Sequence, residues 1–157
     1  MNRIKLKIVE APMINIHASY FSVGNPLQIL DRWLNPPRHT KTVTLRDRQF
    51  EVEWTSRAQR QLEKRETPLI VEMQLYFSCV VKKRVLFHDS YDLDAVAVND
   101  DITIAFRTVV SSACDPEEFA RNFPIKNDLD STAAAKMKPK YLLVDYVGNK
   151  WVGEYKI

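Results

Sequence analysis

Two cysteines and three histidines are the whole stock of soft, reactive side chains in this chain of 157 residues, so their neighbours decide what chemistry is open to it. Cys114 stands immediately before Asp115-Pro116-Glu117-Glu118, which reads as a helix start: a capping carboxylate, a first-turn proline and two acids at the positive dipole end. A helix N-terminus favours thiolate, so Cys114, His88 and Asp115 are where thiol or metal chemistry would be placed, with or without a divalent ion on the aspartate loop. Cys79, two residues from both Phe77 and Val81, falls on an apolar strand face, where cysteine behaves as a small hydrophobe. Asp89, Asp92 and Asp94 carry oxygen ligands suited to a hard cation, with Asp100 and Asp101 following. That segment lacks the central glycine and terminal glutamate of a calcium-binding loop, and there are no close-spaced zinc ligand pairs. Solvated surface carboxylates are the ordinary reading, and neither a metal nor a cofactor is expected.

Glycine is equally sparse. Gly24, Gly148 and Gly153 are the only three, and none lies in a phosphate-cradling or dinucleotide-binding context. Serine-hydrolase elbows and paired zincin histidines are absent as well.

Cationic side chains supply the second kind of chemistry. Arg57, Arg60 and Lys64 recur at helical spacing, and Lys82, Lys83 and Arg84 form a run, as do Arg38, His39 and Lys41. Phosphates need such donors, and Trp33 or Tyr76 are of the type that stacks on bases. Against this, 23 basic residues face 20 acidic ones, and Glu63 and Glu66 interrupt the basic helix. Nucleic-acid binding therefore stands as an alternative to a plain solvated face.

Aromatic residues supply the third. Tyr146, Trp151 and Tyr155 flank a tight turn near the C-terminus, and aromatics concentrate at protein interfaces. They are the expected protein-interaction site, alongside any exposed sheet edge.

The elements that must position these groups follow from periodicity. Arg3 to Val9 and Ile14 to Tyr20 alternate as strands. Asn25-Pro26 opens a helix with Leu27, Leu30 and Leu34 as its buried stripe, stopped by Asn35-Pro36-Pro37. Val43–Leu45 and Phe50–Trp54 make a hairpin, and Ser56 with Gln59 caps a helix running to about Glu66. Leu69 to Val81 is the strongest strand, with a bulge or turn expected near Lys82-Lys83 and a continuation through Phe87. Ile102 to Val110 is another strand, and Asp115 opens a helix that places Phe119 and Phe123 on one face before Pro124. Asp130-Ser131 with Ala133, Ala134 and Ala135 suggests one more short helix, stopped by Pro139, and Tyr141 to Tyr155 forms a hairpin about Gly148-Asn149. The expected fold is α+β: a single domain over residues 1–157, a mainly antiparallel sheet, and three to four short helices packed on it.

With 45% hydrophobic and 27% charged residues this is an ordinary globular composition. No apolar run is long enough to span a membrane, the N-terminus reads as no signal peptide, and two cysteines fit a reducing compartment. The expectation is thus a cytoplasmic, non-catalytic protein that binds a protein partner or itself. Nucleic-acid binding through the basic residues is the first alternative, and a small thiol- or metal-dependent enzyme the second.

Overall fold

A computed structural model describes residues 26–77, 81–92, 94–111, 126–129 and 131–157. Several expectations lie outside them: the strands at 3–9 and 14–20, the Asn25 cap, Cys79, Cys114, Asp115, and the helix bearing Phe119 and Phe123.

Alternating side chains from Val43 onward build two sheets. The first contains β1 (Pro37–Leu45), β2 (Arg48–Thr55), β8 (Tyr141–Val147) and β9 (Lys150–Lys156), in the order β1-β2-β8-β9. The second contains β3 (Leu69–Phe77), β4 (Val81–His88), β5 (Val96–Ala97) and β6 (Ile102–Ser111), in the order β4-β3-β6-β5. Strand β7 (Lys126–Asp128) adds to β6. Three helices are described: α1 (Pro26–Leu34), α2 (Ser56–Leu62) and α3 (Thr132–Lys136).

Pairing is mostly antiparallel, but β2 runs parallel to β8 and β3 parallel to β6. The single, mainly antiparallel sheet expected from sequence is therefore corrected to two sheets with parallel contacts at their centres. Local turns announce hairpins, whereas a parallel pair needs a long crossover that leaves no local mark.

The inner faces of the sheets meet in one apolar core. Phe50, Val52, Leu142, Val144 and Tyr155 come from the first sheet, and Val71, Met73, Ile102 and Ile104 from the second. Each fully buried aliphatic or phenylalanine side chain there contributes about 1.5–3 kcal/mol. Ala58 and Leu62 join this core from α2. At the β4–β9 edge the sheets come so close that a Cβ on Gly153 would lie 2.8 Å from Val85 Cγ1 and 3.1 Å from Phe87 Cζ. Tyr155 Oη crosses the core to donate to the Gln74 carbonyl at 2.6 Å.

Several boundaries move relative to expectation: β1 begins at Pro37 rather than Val43, and α2 ends at Leu62 rather than near Glu66. Phe77 pairs with Val81, and Lys82 and Lys83 lie inside β4 rather than at a bulge or turn. Thr55, not Ser56, caps α2, its Oγ1 accepting from Ala58 N–H at 3.2 Å. The β1–β2 connection is a two-residue turn, with Arg46 and Asp47 both at positive φ (50° and 60°). Aspartate tolerates that region and arginine does not favour it; the Arg46 guanidinium lies 4.7 Å over the Phe106 ring and donates to the Phe106 carbonyl at 3.2 Å.

Candidate functional site

Helix α1 is attached to the outer side of the first sheet by charge rather than by apolar packing. Arg57, the second residue of α2, grips two carboxylates at once. Its Nε and Nη2 donate to Asp145 of β8 at 2.7 and 2.5 Å, and its Nη1 and Nη2 donate to Asp31 of α1 at 2.9 and 2.6 Å. Thr55 Oγ1 adds a 2.5 Å bond to Asp145, and Asn35 Nδ2 reaches Asp31 Oδ1 at 3.1 Å. The hydrogen bonds to Asp145 and then Asp31 hold Arg57 above its ordinary pKa. Asp31 is lowered, chiefly by the bond from Arg57. Burial pushes Asp145 upward, but the bonds from Arg57, Thr55 and the Tyr146 N–H outweigh it and leave that carboxyl lowered. A second tie, Arg32 to Glu154 of β9 at 2.7 Å, fixes the other flank of the helix.

These two anchors turn α1 inside out. At about 100° per residue, Leu27, Ile29, Leu30, Trp33 and Leu34 share one arc of roughly 160°, opposite Asp31 and Arg32. The polar arc faces the sheet, so the apolar arc faces outward: Leu30 is 51% exposed and Trp33 78%, with the other three between them. The expectation of a buried Leu27–Leu30–Leu34 stripe is corrected here. Periodicity located the stripe, but nothing in the helix itself says which way it turns.

The three C-terminal aromatic candidates sit at the junction of the two sheets. Tyr155 is 1% exposed and part of the core, where burial raises its pKa. Tyr146 and Trp151 are half-buried, their rings edge-on at 4.9 Å, with Trp151 stacked on Phe87 at 6.3 Å. These three side chains close the gap between the sheets.

Among the basic candidates, Arg60, Lys64 and Lys82 are exposed, and Arg84 is half-buried. Arg57 is held by its two carboxylates. Strand alternation splits the β4 run: Lys83 pairs with Leu75 on the core side and donates to the Tyr155 carbonyl at 3.2 Å, while Lys82 and Arg84 take the other face. A continuous run in sequence is therefore not a continuous patch on a strand.

His88 faces a buried carboxylate on β3. Its Nε2 is 2.7 Å from Glu72 Oε2, and Glu72, 2% exposed, also receives Gln74 Nε2 at 2.5 Å and Arg107 Nη1 at 3.3 Å. Tyr91 stacks obliquely on His88, and burial, followed by the Glu72 charge, pushes its hydroxyl up to about 12. Arg107 continues to Asp128 at 2.7 Å, at the mouth of a cleft of about 590 Å³ lined by Arg46, Asp94, Phe106 and Lys138. Glu72 was missed because a carboxylate alternating with apolar residues reads as a solvent face; the β3 burial pattern shows both faces covered. Arg107 and Asp128 carried no signal at all.

The aspartate candidates separate. Asp89 pairs with Arg65 at 2.6 Å, Asp92 is exposed, and Asp94 lines the cleft. Among the described residues, no three histidine, cysteine or carboxylate side chains converge to hold a metal. No helix among them is long and apolar enough to cross a membrane.

Compared with known proteins, the chain matches no family, no curated protein and no solved structure.

Proposed function

We propose that this chain works by binding another protein, with α1 as the docking element. One observation carries the reading: five large apolar side chains share a helix face that points away from the body of the protein. A helix on a protein surface ordinarily buries such an arc, and an exposed apolar patch of this kind marks an interaction site. Trp33 at its centre is the residue type that most often dominates interface energy. Among the sheet edges, β1 carries exposed Arg38 and Lys41 and β4 exposed Lys82 and Lys83, charges that discourage strand addition, so α1 is the better surface.

The test places a benzophenone photo-crosslinker at position 33 and, as a control, at exposed Lys41. A stoichiometric protein adduct from position 33 alone, abolished by Leu30→Asp and retained after Arg60→Glu with Lys64→Glu, supports the reading. Adducts that ignore Leu30→Asp refute it. Binding that disappears with the charge reversals and with raised salt transfers the function to nucleic acid.

A further inference from the structure

Resting on that reading, we infer that the partner of α1 is a basic amphipathic helix, its apolar stripe on the α1 arc and its lysines and arginines along the flank. The charge beside the arc selects this occupant. Arg57 is shared between Asp31 and Asp145, at 2.6 and 2.5 Å, so one cation meets two carboxylates and a negative charge is left over. Arg32 and Glu154, 2.7 Å apart, cancel. Glu51 and Glu53 stand on the same outer face of the first sheet, because strand alternation turns Val52 and Trp54 to the core. Tyr141 donates to Glu53 at 2.5 Å and feels the charges of Glu51 and Arg32, which sets both carboxylates beside the helix. Lys156, 5.1 Å over the Tyr141 ring, offsets one of them. The groups that touch α1 and Tyr141 thus carry two negative charges in excess, one from the clamp and one from the sheet, on a chain whose formal net charge is +3.

Such an excess repels a surface of its own sign, so an acidic segment, an anionic lipid surface or a second copy meets repulsion on this flank. Lysine and arginine find complementary charge there, and their long stems cover apolar surface while the heads reach the carboxylates. The shape of the arc selects a helix. Ile29 with Trp33 and Leu30 with Leu34 form neighbouring ridges at i, i+4 spacing, and the groove between them takes a ridge of another helix. All four side chains are 51–78% exposed. The apolar contact is small, so the charge contributes on-rate and selectivity and the complex is reversible.

Fluorescence anisotropy with the full chain tests the inference. The probe is a dye-labelled leucine–lysine peptide of about 18 residues, patterned as an amphipathic helix, and its counterpart carries glutamate at every lysine. The lysine peptide should bind with a Kd on the order of micromolar and the glutamate peptide at least about tenfold more weakly, the gap narrowing as salt is raised. Leu30→Asp should weaken the lysine peptide about fivefold or more, although it adds a negative charge, and Glu51→Lys about threefold or more. Both positions are exposed and outside the core, and circular dichroism checks that both variants fold. Glutamate peptide binding as tightly as lysine peptide, with both lost in Leu30→Asp, overturns the basic partner and leaves α1 as a docking surface. Lysine-peptide binding indifferent to Leu30→Asp overturns both, since charge alone is then at work. Binding of neither peptide overturns the basic partner, as does a Leu30-dependent dimer of the chain alone or a Leu30-dependent uptake by phosphatidylserine vesicles; the adduct from position 33 then decides the docking reading by itself.

Discussion

Replacing Arg57 with methionine should loosen the seat of α1 and cost about 2–3 kcal/mol of stability. Both sides of the Arg57–Asp145 contact are largely buried, with side chains 18% and 13% exposed, and the contact is bidentate. A hydrogen bond to a charged group contributes about 1.5–3 kcal/mol, and stripping one partner from a fully buried pair costs about 3–5 kcal/mol. The residual exposure, and the greater exposure of Asp31, place the expected loss at the lower part of that combined range. Urea unfolding followed by circular dichroism would measure it, with a double-mutant cycle to Asp145→Asn isolating the pair from lost packing. The loss should also depend on pH. Asp145 and Asp31 are both lowered from 3.8 in the folded chain, so they contribute stability above that value and lose it as pH falls through their lowered values. The gap between wild type and variant should therefore close below pH 3.8. A loss under about 0.5 kcal/mol, typical of a surface pair, would refute the reasoning, as would a gap of the same size on both sides of the carboxylate range.

Two further outcomes test the packing. Gly153→Ala drives a methyl to 2.8 Å from Val85 Cγ1, and the stiff valine cannot swing aside, so about 1–3 kcal/mol should be lost and largely recovered with Val85→Ala; unchanged urea midpoints would show that the sheets are not in tight contact there. In an ultraviolet titration Tyr91, Tyr141 and Tyr155 should ionise after ordinary tyrosines, because burial raises all three and Tyr141 also donates to Glu53 at 2.5 Å. Their contribution to stability is present below the ordinary value of 10.0 and lost as pH rises through the raised ones, to about 12 for Tyr91, and a single transition of all tyrosines near 10.0 in the folded chain would contradict it.

Local chemistry was legible from residues alone. The Gly148-Asn149 hairpin, the short alanine helix α3, the end of α1 before its prolines and the β3 and β6 strands all depend on neighbours in the chain, and sequence reports neighbours. The apolar stripe of α1 was legible in the same way. Its orientation was not, because Arg57 and Glu154, which turn the polar arc of the helix to the sheet, arrive from other elements.

The same division explains the sites. The Lys82-Lys83-Arg84 run was visible, but its division between two faces requires knowing that the segment is a strand. Tyr146, Trp151 and Tyr155 stood out as aromatics, and only the approach of β4 to β9 made them filling between sheets. Glu72 gained His88 and Arg107 because two strands, one antiparallel and one parallel, bring their side chains to the face of β3 that Gln74 shares. By itself the sequence determined which elements form and which side chains they carry, since backbone propensity and periodicity are properties of short segments. Which faces are covered, which charges are paired and which apolar arc is left outward were decided only by the tertiary structure, because each depends on contacts between residues far apart in the chain.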